Sequence, residues 1–522
     1  MKRYEQELTE HLAKVALASV DAMRPGRLSW GVGKATFAVN RRVLKEGRWT
    51  GFGVTPDGAV DHSLPVLFVH DLPATGGEGA GKLRAVLVNY ACHCTTLGGA
   101  FNEVHGDWAG CAQEQIEREH DGVTALVSIG CGADANPNPR NDDLMIVQQH
   151  GDAIAREVRR LAKTKLTPIA GKITARRDVF DLPLAELPTK AEFEERTKQT
   201  GKPIAWHAQA QLERLAKGEA LRTAVPYSAQ AWMFGDALCM VSLPGEVVVD
   251  YQLRFKRELD GRRLWVNAYS NDSPCYIASK RVLAEGGYEV DGSMYYYDQP
   301  QHFAPEVEDT IVERVRGLVP KHFNAAERFA AAVTKHEEKG NADGYPKDAI
   351  LFIGSSTIVR WKLEQWFSDL KTVNHGFGGS YISDSVYYFD RLVGPVKPRQ
   401  IVFFAGGNDL AAGKTPEQVR DDFLRFAALV RAKLPETKLT YLAITPSVKR
   451  WEQIERQRTA NGLIQVEVDK MKSPKVEFVT LEKRFLSESG EPVPTNYAAD
   501  MLHLSDAGYA ILVDIVKPYL VK

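Results

Sequence analysis

The chain has 522 residues, of which 44% are hydrophobic, and its 66 Lys+Arg against 67 Asp+Glu leave a formal charge of −1. Single cores stop growing near roughly 250 to 300 residues, so this length predicts two domains. The balanced charge argues against a nucleic-acid partner held by phosphate neutralisation, and no apolar run reaches the ~20 residues of a membrane-spanning helix.

The start, MKRYEQELTEHL, is too charged for the apolar core of a secretion signal, so the chain as written reads as cytoplasmic. Residues 4–22 then carry apolar side chains at helical spacing (Leu8, Leu12, Val15, Leu17, Val20) and stop before Arg24-Pro25-Gly26. Short apolar runs at 64–69, 85–90, 123–129, 237–243 and 264–268, most of them bounded by Gly, Pro, Asn or Asp, read as buried strands. The charged stretch 189–219 reads as helices and exposed turns. From about Ala325 the pattern changes to continuous apolar runs at 349–353, 401–405, 439–444 and 476–481, with a weaker one at 372–375 and helical segments between them. Such alternation predicts a parallel sheet covered on both faces, hence a doubly wound α/β domain over 325–522, with the boundary near 318–324.

All six cysteines (Cys92, Cys94, Cys111, Cys131, Cys239, Cys275) precede residue 276, too few and too lopsided for a disulfide framework. Cys92-His93-Cys94 looks like a ligand cluster. On a strand running over 85–94, however, alternation sends His93 to the opposite face from both thiols, and a zinc site using all three is not expected.

In a doubly wound sheet, reactive groups gather at the carboxyl ends of the strands. There the sequence places Gly354-Ser355-Ser356-Thr357, Gly376-Phe377-Gly378-Gly379-Ser380 and Gly406-Gly407-Asn408-Asp409. Asp500-Met501-Leu502-His503 precedes a final helix, and on a helical turn its Asp and His would reach one site. Singly, each has a structural reading as a helix cap, a turn or a surface residue. Their order, at successive strand ends, favours a catalytic site.

That order resembles the SGNH (GDSL-type) hydrolase family over about 325–522, in blocks Gly354-Ser355-Ser356, Gly379, Gly406-x-Asn408-Asp409 and Asp500-x-x-His503. The segment from Phe352 to Trp361 is similar to the branch written Phe-x-Gly-Ser-Ser-x-x-x-x-Trp, which includes acetylhydrolase-like and carbohydrate-esterase-like members. Ser355 stands where many relatives carry Asp, a departure this branch shares. The resemblance implies a flavodoxin-like three-layer α/β/α fold, Ser356 as nucleophile, His503 as general base and acid, and Asp500 as the group orienting the imidazole. The N–H groups of Ser356 and Gly379 and the Asn408 amide would form the oxyanion hole. It implies a carboxylic ester hydrolase needing no cofactor, acting on a short-chain ester of a small molecule, carbohydrate or lipid.

Residues 1–320 carry a second set of polar or Gly-rich segments: Asn89-Tyr90-Ala91-Cys92-His93, His105-Gly106-Asp107-Trp108, Gly130 to Pro137, Leu243-Pro244-Gly245-Glu246 and Glu285-Gly286-Gly287-Tyr288-Glu289. On chemistry alone, His93 as a satisfied core histidine and Glu246 as a helix-start carboxylate are the favoured readings. These segments resemble the neutral/alkaline non-lysosomal ceramidase family, which implies a mixed α/β domain with His93, Glu246 and Tyr288 in the places of zinc ligands. The family's His-rich upstream segment has no counterpart here, and Asn136 stands where its nucleophilic serine lies, so the resemblance implies a degenerate domain that is a truncated or alternative-start version of a longer, exported parent. Zinc completed by His105 or Asp107 stays open. So do a working zinc amidohydrolase and a non-catalytic lipid- or glycan-binding module in which Trp30, Trp49 and Trp108 supply stacking surfaces, although buried structural tryptophans are the commoner case.

Overall fold

The computed structural model describes residues 2–72, 81–199 and 201–521. Its contacts divide the chain into two compact units, Met1–Asn324 and Ala325–Lys522.

The first unit opens on the helix Lys2–Asp21, whose Leu8, Leu12, Val15, Leu17 and Val20 all remain exposed. The spacing thus reads the helix correctly, but it does not mark a core face. A five-stranded sheet follows in the order Thr124–Ile129, Leu83–Tyr90, Ser63–Asp71, Gly26–Lys34, Thr167–Ile169. A four-stranded sheet runs Leu264–Asn267, Leu238–Ser242, Ala224–Phe234, Ile173–Pro183. Both mix antiparallel and parallel pairs. Helices Asp107–Glu119 and Leu144–Ala162 pack on the first sheet through Trp108, Ile116, Ile154 and Val158, and helices Val249–Glu258 and Val307–Leu318 pack on the second. Between the sheets Trp30 and Leu67 meet Leu238 and Trp265.

The apolar run read at 85–90 is the strand Leu83–Tyr90; it stops before Cys92, His93 and Cys94, which lie in the loop beyond it, so the alternation argued for a strand continuing to 94 does not apply. Of the tryptophans weighed as stacking surfaces, Trp30 and Trp108 are core residues, 2% and 0% exposed; Trp30 fills apolar volume between the two sheets and Trp108 between helix and sheet.

In the second unit five parallel strands, Ile350–Gly354, Thr372–Gly376, Gln400–Phe404, Lys438–Leu442 and Val476–Val479, stand in the spatial order 2-1-3-4-5, which is the flavodoxin-like order. Side-chain alternation splits each strand between two cores. Leu351, Ile353, Ile401 and Phe403 face helices Pro416–Lys433 and Ile454–Met471, while Ile350, Phe352 and Val402 face the final helix Asp506–Val516. Phe352 and Trp361 of the motif pack edge to face with ring centres 5.3 Å apart, which ties the strand to the turn leaving it. Truncating Phe352 to Ala in such a core costs about 3–5 kcal/mol.

Candidate active site

The first strand ends at Gly354, whose φ of 139° and near contact with the Phe404 carbonyl leave no room for a side chain. Two strands therefore approach closely where the chain turns. Ser355 follows, its N–H donating to the Phe404 carbonyl at 3.0 Å and its carbonyl accepting from Ile358 and Val359. Ser356 is then the first residue of the short helix Ser356–Arg360, so its own N–H is one of those that a helix start leaves unpaired.

The hydroxyl of Ser356 lies 3.0 Å from His503 Nε2, and His503 Nδ1 lies 2.6 Å from Asp500 Oδ2. The remaining oxygen of Asp500 accepts the backbone N–H groups of Leu502 (3.1 Å) and His503 (3.0 Å). These bonds, the His503 side chain first, hold the Asp500 carboxyl well below the usual carboxylate range. With Asp500 ionised, Nδ1 carries the proton and Nε2 offers its lone pair to the serine.

The expected helical turn over 500–503 is not what joins the pair. Asp500 instead makes an Asx turn inside a tight loop closed by Ala498 N–H to the His503 carbonyl (2.7 Å), with Met501 at φ 55°. A loop is tighter than a helix here because the aspartate oxygens themselves supply the turn's acceptors.

Gly378 borders the serine, for a side chain there would lie 3.9 Å from the Ser356 Cβ. Gly379 adopts φ 81°, a conformation that favours glycine, and its N–H has no backbone acceptor among the described residues. Asn408 Nδ2 donates to the Ser380 carbonyl at 3.2 Å, which leaves its second N–H uncommitted. The neighbouring Asp409, fully buried, accepts the Ile382 N–H and Lys414 Nζ (2.7 Å), and Lys414 also reaches Asp422 at 2.7 Å. Burial pushes the Lys414 ammonium down, but the two carboxylates outweigh it and keep it charged. This network anchors the turn that carries Asn408.

Lys414, Asp422 and Arg450 escape the sequence reading. Arg450 Nη2 donates to Asn408 Oδ1 at 3.0 Å from the loop that follows the fourth strand. The available signal was that position, since loops at the carboxyl ends of these strands border the site.

In the first unit His93 and Glu246 do approach each other, with Nε2 and Oε2 3.8 Å apart. Tyr288 lies close enough to feel both the Glu246 and Arg41 charges. The arrangement does not fit a zinc ion. The nitrogen that faces Glu246 donates to the Ala133 carbonyl at 2.9 Å and so carries a proton where a metal needs a lone pair. Glu246 accepts the hydroxyls of Tyr269 (3.1 Å) and Tyr297. Burial, and then the Arg41 guanidinium, hold the His93 imidazole down at about 4. Arg41 itself is bound to Glu289 at 2.9 Å and Tyr276 at 3.3 Å and lies 5.7 Å from the Tyr288 ring centre, a fixed cation in the same cluster. Asn136 Oδ1 lies 3.5 Å from it. The alternative ligands are committed too: Asp107 accepts the Leu97 and Trp108 N–H groups, and His105 Nδ1 accepts the Asp107 N–H. Among the described residues no three His, Cys, Asp or Glu side chains form a metal cage.

A serine, a histidine and an aspartate stand in line at the carboxyl edge of the doubly wound sheet, an arrangement able to draw a proton from the serine hydroxyl. Residues 352–511 match the GDSL-like lipase/acylhydrolase family. No curated protein matches the chain. Similar solved structures include a protein from Streptococcus pneumonia described as a platelet activating factor, 22% identical over 41% of this chain and 99% of that one, with a TM-score of 0.35. An acetylxylan esterase from Geobacillus stearothermophilus is 14% identical over 34% of this chain and 96% of its own, with a TM-score of 0.29. The neutral ceramidase from Pseudomonas aeruginosa is 18% identical over 56% of this chain, with a TM-score of 0.40, and the chain spans about half (51%) of that protein's length.

Proposed function

We propose that the second unit is a serine esterase that cleaves short, acetyl-like carboxylic esters of a small molecule, carbohydrate or lipid through an acyl-serine intermediate. The observation that carries this reading is the continuous chain from Asp500 through His503 to the Ser356 hydroxyl, at 2.6 and 3.0 Å.

A serine hydroxyl is a poor nucleophile until a base takes its proton. As Ser356 Oγ attacks the ester carbonyl, its proton passes to His503 Nε2, and the imidazolium is stabilised by Asp500. Negative charge moves onto the former carbonyl oxygen, where the N–H groups of Ser356 and Gly379 and the free N–H of Asn408 are the available donors. Collapse expels the alcohol, which takes the proton from Nε2 and leaves the acyl group on Oγ. Water then repeats the sequence: His503 accepts one of its protons, collapse expels Ser356 Oγ, which takes that proton back from Nε2, and the carboxylic acid departs and ionises into solvent. Every proton shuttles through one nitrogen, so no cofactor is needed.

Hydrolysis of an aryl acetate by Ser356→Ala is expected to fall by at least about 10⁴-fold, since the nucleophile and its base act as a unit. Retention of wild-type activity by that variant would remove the proposal. In the first unit, the internal commitments of His93, Glu246 and Arg41 support a non-catalytic role over a zinc amidohydrolase.

A further inference from the structure

An asparagine amide serves an oxyanion only in one of its two flipped states, with NH₂ rather than the carbonyl turned to the developing charge. Asn408 is held in one state from both ends. The Ser380 carbonyl accepts from Nδ2 at 3.2 Å, and Arg450 Nη2 donates to Oδ1 at 3.0 Å. Flipping the amide would set N–H against guanidinium N–H and carbonyl against carbonyl.

Among the described residues the Arg450 guanidinium makes no other hydrogen bond and no ion pair. Burial alone lowers its pKa, and no carboxylate among the described residues offsets that cost. Its backbone, at φ −119° and ψ 25°, breaks the short helical stretch Val448–Gln453. The surrounding loop is tied down: Asn461 brackets Ile444 with two 2.9 Å bonds, Tyr497 Oη donates to the Pro446 carbonyl at 2.8 Å, and the Lys449 N–H donates to the Met501 carbonyl at 2.9 Å. That last bond joins the arginine's loop to the loop of Asp500 and His503. A rigid mount for an unpaired guanidinium makes sense if its acceptor is the Asn408 oxygen.

We propose that Arg450 is a positioning residue of the esterase, which fixes the Asn408 amide in its donating orientation and, by drawing charge toward Oδ1, strengthens the N–H that meets the oxyanion. This rests on the serine-esterase reading of the site. A charged donor on the carbonyl side polarises the amide, so the free N–H becomes the stronger donor as charge develops. The benefit appears in the transition state and not on substrate binding.

The test uses the full chain and measures kcat and KM on an aryl acetate for wild type, Arg450→Ala, Arg450→Lys, Asn408→Ala and the Arg450→Ala/Asn408→Ala double variant. Removing the asparagine donor should cost about 10²- to 10³-fold, and removing its holder about 10- to 100-fold in kcat with KM changed by no more than about threefold. Lysine should restore part of the loss. With Asn408 already absent, Arg450→Ala should cost no more than about threefold further, because a residue that acts through another has nothing left to act on. An additive loss in the double variant overturns the proposal. So does a loss carried by KM, or one confined to esters bearing a carboxylate, since Arg450 would then be a substrate-binding group. If Arg450→Ala fails to fold, Arg450→Gln and Arg450→Lys decide by the same criteria, with a denaturation midpoint as the check on folding. Ser356→Ala run alongside separates the two levels. An active Ser356→Ala defeats the esterase reading itself, whereas an inactive one with an additive Arg450 effect defeats only the role of Arg450.

Discussion

His503 and His93 each face a carboxylate, one in each unit, and the difference between them lies in what the protons and lone pairs are doing. His503 takes Asp500 on Nδ1 and leaves Nε2 turned to a serine hydroxyl at 3.0 Å. His93 places its Nε2 proton on the Ala133 carbonyl, and its carboxylate neighbour, Glu246, is occupied by tyrosine hydroxyls. In the C-terminal site, the N–H groups of Ser356 and Gly379 and one N–H of Asn408 have no acceptor among the described residues; in the N-terminal cluster, Arg41 supplies a cation that satisfies Glu289 and Tyr276. Both histidine–carboxylate pairs were singled out in the sequence by a resemblance to a family's motifs. A motif fixes residue types, but chemistry requires that a lone pair or a proton be left over once the fold has satisfied itself.

The sharpest break in this comparison is expected from Asp500→Asn. An amide in place of the carboxylate can donate as well as accept, which favours the wrong imidazole tautomer and leaves the imidazolium uncompensated. The expected fall in kcat on an aryl acetate is about 10³- to 10⁴-fold, with no comparable change in KM. His93→Ala, measured in parallel, should leave the rate within about twofold, as expected of a group outside the reacting centre. Equal losses in both variants would mean that the two clusters are functionally coupled and that the contrast drawn between them is wrong.

The C-terminal strands were legible because a parallel sheet buried on both faces leaves continuous apolar runs, and 350–354 and 400–404 are buried at every position. Ile173–Pro183 and Ala224–Phe234 were missed for the opposite reason: the first is largely exposed, and the second alternates buried and exposed residues, so neither forms a run. In the site, Ser356, Asp500 and His503 could be named from motif order. Their joining by an Asx turn could not, because whether an aspartate caps a helix or closes a loop depends on backbone N–H groups that spacing does not reveal. Arg41 and Arg450 were invisible for a related reason: each acts on a residue far away in sequence (Glu289, Asn408), and a lone arginine in a loop has no distinguishing local pattern.

A milder distinction between the units should appear in stability against pH. Burial pushes the Asp134 carboxyl of the first unit up to about 6, against the opposing pull of Arg281 at 3.5 Å and with Asp250 adding to the rise. Between the ordinary aspartate value near 4 and about 6, the folded state therefore binds more protons than the unfolded state, and unfolding free energy falls as pH rises through that window. Asp134→Asn removes this dependence. The variant's denaturation midpoint relative to wild type should thus climb from pH 4 to pH 6 and level off above it. A relative midpoint that falls over the same range would mean that Arg281 prevails and the carboxylate is charged in the folded protein.

The smallest effect is expected from metal. To bind zinc between His93 and Glu246, the protein would have to strip the Nε2 proton, give up the 2.9 Å bond to Ala133, displace the Tyr269 and Tyr297 hydroxyls and place a divalent ion in a cluster that already holds Arg41. Each step opposes binding, because a metal ligand must be deprotonated and free. Chain equilibrated with a modest excess of zinc and then passed through gel filtration should carry well under one ion per molecule by elemental analysis. Chelator treatment should leave ester hydrolysis within about twofold, since the serine chemistry has no Lewis-acid step. One zinc per chain that disappears in His93→Ala would reverse the contrast, showing that the N-terminal cluster rearranges around a metal its internal hydrogen bonds otherwise displace.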